Sequence, residues 1–376
     1  MRSDGISKAR RARFASEVSC PALYPNCKER LMEFTKSEAK EWARKNYHGL
    51  DGVIQPSYTP DLENLDEEGI RHDVRHNIAK GVFSVFCAGE VSALSHEERK
   101  QFVKIVADEA KGKVLVSMFG AFDDAEQSME LLNYFESVGG THTLLGWPGN
   151  FYARSEEDIY QCAKKICDSI RLAVDLWPKP FYDFGRFHPS GFNPALIERI
   201  VQIPNVVAIK AYLGDGIGKW ADVHHRVGDQ VLLQAAEMAE WPITVAHYGQ
   251  QWAGPADYVI FDQTGNNPRI LRMFNLFAQG EFSKGMELYW ELAPITLGAR
   301  DAAFQCGMLG MKYMQWLTGG NGGMFRKPTS FLFQHFKNVM RAGLQAAGVT
   351  PREPEEEFYV GRVNYAKGIR PKEYPA

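Results

Sequence analysis

From about residue 50 onward, short apolar runs alternate with longer amphipathic stretches, and this alternation restricts the available folds more than any other feature of the chain. The runs fall at residues 52–55, 82–87, 113–118, 143–147, 172–177, 206–210, 230–235 and 258–262. They are rich in Val, Ile, Leu and Phe, as strands buried on both faces of a parallel sheet are. Stretches of helical period lie between them, for example at 95–111, 124–138, 156–170 and 193–201. Eight βα units in about 230 residues have the size and rhythm of a TIM (βα)8 barrel. A doubly wound open sheet is the competitor. It calls for a glycine-rich phosphate turn after the first strand, and Gln55-Pro56-Ser57-Tyr58-Thr59-Pro60 is not one. The expected division is an N-terminal extension over 1–48, helical in part at 37–45, and a barrel core over 49–268. C-terminal helices packed on the barrel occupy 269–348, and a charged, Pro-rich tail covers 349–376. The tail either wraps the surface or is disordered.

One of these runs carries a lysine. In Asn205-Val206-Val207-Ala208-Ile209-Lys210-Ala211-Tyr212, Lys210 sits inside a stretch that reads as fully buried. A buried ammonium is costly unless it is paired or neutral. Desolvation lowers a lysine pKa, and a neutral amine can attack a carbonyl to form an imine. A strand-end lysine that snorkels to solvent is the bland alternative.

Composition narrows the function. The chain has 376 residues, 45% hydrophobic and 24% charged, with a net charge of -3. That charge gives no support for a nucleic-acid partner. The basic N-terminus (Arg2, Lys8, Arg10, Arg11, Arg13) lacks the apolar stretch of a signal peptide and reads as a flexible tail. No apolar run approaches the roughly 20 residues of a membrane span. The six cysteines are scattered without a C-x-x-C pair, so no zinc site or disulfide framework is expected, and a cytoplasmic location is the default. His224-His225 are neighbours on a helix and point apart, which argues against a metal site. Gly214-Asp215-Gly216-Ile217-Gly218-Lys219 fails the Walker spacing and reads as a turn. Gly319-Gly320-Asn321-Gly322-Gly323 reads as a tightly turning or mobile connector.

At this point the chain resembles the dihydrodipicolinate synthase / N-acetylneuraminate lyase family of Schiff-base TIM barrels. The resemblance is carried, in order, by Leu65-Asp66-Glu67-Glu68-Gly69-Ile70, Ala88-Gly89-Glu90 through Leu94-Ser95-His96-Glu97-Glu98-Arg99, the Lys210 strand, Asp257-Tyr258-Val259-Ile260 and Gly280-Glu281-Phe282. It spans about residues 50–330. It implies that Lys210 forms an imine with the keto carbon of a 2-oxo acid, usually pyruvate. It also implies a homodimer or homotetramer, with small-molecule partners and no organic cofactor or metal. Departures from the pattern matter too. Two threonines that normally bind the acid's carboxylate are replaced by Cys87 and Ala88. Gly146-Trp147-Pro148-Gly149-Asn150-Phe151-Tyr152 is closer to the aromatic hydratase-aldolase branch than to lysine biosynthesis.

Imine chemistry needs an amine, a proton shuttle and a carboxylate clamp. In the family the shuttle is a tyrosine twenty-eight positions before the lysine, which here is Tyr182. Pro178 and Pro180 break the fifth run, so Tyr182 is either a strand-end residue or a loop aromatic covering the rim. In the second case Asp175 or Trp177 takes the strand-end place. Backbone amides at Cys87, Ala88 and Gly89 are the expected carboxylate clamp. Arg186 is a bidentate candidate for a second carboxylate. Glu237 and Gln234 follow the seventh run near the barrel mouth, where active sites of this fold form. Trp147, Phe151, Trp177, Phe181 and Trp252 are candidates for an aromatic wall. The expected activity is a Schiff-base lyase or aldolase acting on a 2-oxo acid and an aldehyde, an apolar aldehyde in preference to a sugar. The alternatives are a dehydratase of a keto-deoxy sugar acid through the same imine, or a silent barrel that binds a small acid.

Overall fold

A computed structural model describes residues 34–88, 94–178, 182–189, 191–211, 216–235, 237–254, 268–326 and 331–371. Its centre is a sheet of eight parallel strands. These are β1 (Gly49–Ile54), β2 (Ser84–Cys87), β3 (Leu115–Phe119), β4 (His142–Leu145), β5 (Ala173–Leu176), β6 (Val206–Ala211), β7 (Leu232–Ala235) and β8 (Trp252–Ala253). β1 to β7 pair in chain order, and β8 pairs with β1 through Gly49–Trp252 and Leu50–Ala253. The expected strand at 258–262 lies outside the described residues, and the eighth place is taken by β8. Two glutamines lace the seam between β7 and β8. The Gln234 amide donates to the Gly254 carbonyl at 2.7 Å, and Gln250 accepts from the Ala235 N–H at 2.9 Å. Eight strands closed in this way with helices outside form the TIM barrel.

Among the described residues the helices are α1 (Ala39–Asn46), followed by α2 (Glu67–Ala79), α3 (His96–Ala110), α4 (Ala125–Ser137), α5 (Glu156–Ser169), α6 (Pro194–Ile200), α7 (Ile217–Val227) and the short α8 (Trp241–Thr244). Local chemistry sets several starts. Asp66 accepts the Gly69 N–H to cap α2. Ser95 and Glu98 form a reciprocal capping box on α3, which is the physical content of the Leu-Ser-x-Glu-Glu segment. Beyond the barrel come α9 (Arg269–Ala278), α10 (Phe282–Ala293), a π-turn over Pro294–Ala299, α11 (Arg300–Gln305), α12 (Gly307–Leu317) and α13 (Gln334–Ala346). No described helix is long and apolar enough to cross a membrane.

The described residues of both flanks, 34–48 and 349–371, pack onto the barrel and its C-terminal helices. α1 closes the N-terminal end of the barrel. Ala39, Ala43 and Tyr47 pack there with Phe83, Leu115, Ala173, Ala208 and Trp252. The tail carries α14 (Glu356–Val360) and α15 (Arg362–Ala366), with Phe358 completely buried against Tyr313 and Trp316. The glycine-rich connector turns tightly, with positive φ at Gly319, Gly322 and Gly323. Its Asn321 N–H donates to Asp73 of α2 at 2.6 Å. Lys312 of α12 is buried and donates to the Pro56 carbonyl at 2.5 Å. These contacts fasten the C-terminal helices to the loop that follows β1.

Candidate active site

The barrel interior is layered. Side chains alternate along each strand, so every second residue faces inward. Leu115, Ser117 and Phe119 rise in order along β3, and Ala173, Asp175 and Trp177 along β5 and just past it. Leu115 and Ala173 belong to the apolar floor that includes Tyr47. Phe119 and Trp177 belong to an apolar cluster at the C-terminal mouth, together with Val53, Phe86, Ala88, Ala121 and Leu144. Between floor and mouth lie polar residues, all buried: Asp51, Ser84, Ser117, His142, Asp175, Lys210 and Gln234.

Lys210 is 8% exposed and stands at the top of that polar layer. It faces inward like Ala208 two positions before it. Asp175 pairs with Ala208 and Leu176 with Ile209, which brings Trp177 level with Lys210. The lysine Nζ lies 4.9 Å from the Trp177 ring centroid, over its face. Asp51 feels the Lys210 charge from β1, and Asp175 feels it from β5.

Burial governs the protonation of this layer. It pushes Asp51 up to about 7, against the Ser84 hydroxyl, the Lys210 charge and the Ser117 hydroxyl, which pull it back. Asp175 is raised well above the carboxylate range by burial and then by the Asp51 charge, with Tyr47 and Lys210 opposing. Tyr47 is raised by burial and by Asp175. Burial pushes His142 down to about 3 and so keeps it neutral. The hydroxyls stand near Asp51, yet no hydrogen bond of good geometry closes on either of its oxygens.

Tyr182 is a loop residue, since β5 ends at Leu176. Even so, its hydroxyl reaches the mouth. Gly146 follows β4 and alternates inward with Leu144, and a Cβ at 146 would meet the Tyr182 oxygen at 2.0 Å. The tyrosine ring is held edge-on by Trp147 at 5.4 Å and stacked by Phe184 at 5.6 Å.

Other expected residues land elsewhere. Trp147 faces the helices, with its indole N–H on the Ile159 carbonyl, so it supports Tyr182 and does not line the mouth. Phe151 packs partly buried against the same outer core. Cys87 also faces the helices, because alternation from Phe86 and Ala88 turns it outward. The Ala88 N–H is taken by the Ile54 carbonyl at 2.9 Å, so that amide is no carboxylate clamp. Gly89 and Phe181 lie outside the described residues. Arg186 donates to the Ala153 carbonyl and sits between the Tyr152 and Phe187 rings at 4.4 and 4.2 Å, which commits it to the rim. Glu237 pairs with Arg300 at 2.7 Å. Trp252 lies at the opposite end of the barrel, edge-on to Tyr47.

Sequence reasoning missed Asp51, Phe86 and Phe119. Asp51 was detectable by the reasoning that exposes Lys210, as a charge inside an apolar strand. Phe86 and Phe119 follow from period-two alternation once strand register is known. Among the described residues, no group of three His, Cys, Asp or Glu side chains could hold a metal ion.

The sequence profile of the Dihydrodipicolinate synthetase family matches residues 49–346. The chain is 24% identical to the 4-hydroxy-tetrahydrodipicolinate synthase of Methanopyrus kandleri over 309 residues, covering 80% of this chain and 98% of the relative. It is 23% identical to the enzyme of the same name from Methanocaldococcus jannaschii, covering 79% and 99%. The crystal structure of dihydrodipicolinate synthase from Aquifex aeolicus matches with a TM-score of 0.68 at 14% identity, covering 82% of this chain and all of that one. N-acetylneuraminate lyase from Fusobacterium nucleatum matches with a TM-score of 0.65 at 17% identity, covering 80% and 98%.

Proposed function

Since the chain belongs to the dihydrodipicolinate synthetase family, whose members are lyases of the aldolase type, we propose that Lys210 forms an imine with the keto carbon of a 2-oxo acid such as pyruvate. The observation that carries this reading is the Lys210 amine itself, buried at the mouth of the barrel between an indole face and two carboxylates. The neutral amine attacks the keto carbon to give a carbinolamine, and loss of water leaves an iminium. The iminium withdraws electrons from the adjacent C–C bonds. A proton lost from the neighbouring carbon gives an enamine that adds to an aldehyde, and the reverse sequence cleaves the adduct.

Tyr182 is the proton shuttle in this reading. Its hydroxyl enters the mouth above β4, two strands from Lys210, roughly 10 Å along the sheet, and in this reading the acid lies between them. Val53, Phe86, Ala88, Phe119, Leu144 and Trp177 form the wall around that space. An apolar wall of this kind favours an aromatic or otherwise apolar aldehyde. The hydroxyls of a sugar acid would be left unpaired against it.

Assembly as a homodimer or homotetramer is part of the same proposal. Trp290, Leu297 and Phe304 recur at seven-residue spacing from α10 to α11 and are exposed, as a contact stripe would be. Sedimentation of the purified chain tests this.

The test of the chemistry is reduction with borohydride in the presence of pyruvate and a panel of other 2-oxo acids, followed by peptide mapping. One reduced adduct on Lys210 is expected, absent from Lys210→Ala. An adduct on another lysine, or none with any acid, overturns the imine reading.

A further inference from the structure

The eight strands contain three formally charged residues, Asp51, Asp175 and Lys210, and all three face the barrel interior. From this juxtaposition we propose that Asp51 and Asp175, sharing one proton, are the buried counter-ion of Lys210, balancing its ammonium at rest and the iminium during turnover. The proposal rests on the imine reading for its role in catalysis, although the charge pairing itself exists with or without substrate.

The geometry supports one negative charge in the pair. Asp51 and Asp175 are 0% and 1% exposed. Two ionised carboxylates in so dry a space repel each other, so one keeps a proton. One carboxylate and one ammonium then leave the interior neutral, which is the least costly charge state for a closed barrel. The remaining neighbours do not change that sum. On β2 and β3 they are the Ser84 and Ser117 hydroxyls. On β4 the neighbour is His142, whose ring nitrogens face Ser84 at 3.4 Å and Thr141 at 2.9 Å and which burial keeps neutral. From below it is Tyr47, directed at Asp175 and held as a phenol. β7 supplies Gln234, occupied with Gly254.

The register gives the device its direction. Asp175 pairs with Ala208, one inward step below Lys210, while Trp177 lies against the amine at the level of the mouth. The negative charge therefore stands on the closed side of the amine. The open side is left to the substrate's keto group. The iminium is a protonated imine, and losing its N–H proton would leave a neutral imine that withdraws electrons poorly, so a counter-ion that holds the charged form serves the reaction. The two carboxylates act through Lys210 and are positioning residues.

The pair makes a distinctive prediction about single and double substitution. Replacing either Asp by Asn frees the other from its like-charged neighbour, and that survivor ionises and serves. Asp51→Asn and Asp175→Asn should each keep the pH profile of Lys210 trapping within about half a unit of wild type. The double variant should shift the ascending limb, on which the ammonium becomes the attacking amine, to lower pH by about one unit or more, because nothing then favours the ammonium.

A second arm needs no substrate and so separates this proposal from the imine reading. Lys210→Met leaves the pair no cation, so the pair must keep both protons or bury an unbalanced charge, at a cost that grows with pH. The variant's melting temperature relative to wild type should fall further as pH rises from 5 to 8, by about 3 °C or more. Lys210→Arg, which retains the charge, should show no such trend, and Lys210→Met combined with both Asn substitutions should lose it. The proposal is overturned if Lys210→Met shows a pH-independent difference, if Lys210→Arg behaves as Lys210→Met does, or if the double Asn variant traps with the wild-type pH profile. Failure to trap any 2-oxo acid on wild-type Lys210 overturns the imine reading and the pair's catalytic role with it, while the melting series still decides the charge pairing.

Discussion

Replacing Gly146 by alanine would put a methyl carbon 2.0 Å from the Tyr182 oxygen and 3.0 Å from two carbons of the Phe119 ring. Ordinary contact begins near 3.4 Å, so the phenol has to withdraw by more than an ångström. It cannot do so freely. Trp147 braces one edge of its ring and Phe184 stacks on its face. Gly146 does not have a positive φ, so the cost is steric and not a backbone penalty. Overpacking of this kind costs about 1–3 kcal/mol. The decisive measurement is a double-mutant cycle by urea denaturation. Tyr182→Phe alone removes the clashing oxygen at small cost. In Gly146→Ala with Tyr182→Phe most of the alanine penalty should vanish, a coupling of about 1 kcal/mol or more. The same variants report on catalysis. If Tyr182 is the shuttle, Tyr182→Phe lowers turnover by about 10²–10³. Gly146→Ala, which displaces the hydroxyl, should lower it as well, and both should leave reductive trapping on Lys210 intact. Strict additivity of the two stability penalties would refute the placement of the hydroxyl over Gly146. Full turnover in Tyr182→Phe would refute its role.

Three further outcomes are expected. Burial pushes Lys312 down to about 8 from its ordinary 10.5. Between these values the unfolded chain holds a proton that the folded chain has released, so wild-type stability rises with pH across that window. Lys312→Met should lack the rise, and parallel stability–pH curves from 8 to 10.5 would contradict this. Turnover should survive exhaustive chelation, because no ligand-spaced cluster exists among the described residues; a loss restored by one divalent ion would point to a metal-dependent aldolase. Hydroxybenzylidenepyruvate-like substrates should give a higher kcat/KM than sialic-acid-like ones, because each square ångström of apolar contact on the Phe86, Phe119 and Trp177 wall contributes about 25 cal/mol. A clear preference for the sugar acid would reverse the assignment of that wall and leave Lys210 chemistry untouched.

The sequence by itself determined the barrel and the place of its amine. Eight apolar runs at helical intervals can bury both faces of a parallel sheet in few other ways, and a lysine within such a run must be paired or deprotonated wherever the chain folds. Both inferences are local, resting on residue type and period alone. The facing of individual side chains was not local. The resemblance places Cys87 in the site and proximity to a strand end places Trp147 there, yet strand register turns both side chains towards the helices. Arg186 and Glu237 were read as free to meet substrate, yet Ala153 and Arg300, distant in sequence, occupy them. Tyr182 was ambiguous because two prolines end its strand. Only the fold shows that a loop carries its hydroxyl back over a glycine of the neighbouring strand. The pairing of Asp51 with Asp175 and Lys210 was the least visible of all. These residues come from β1, β5 and β6 and meet only when the sheet closes. Closure also excludes water from among them, and that desolvation makes their charges depend on one another.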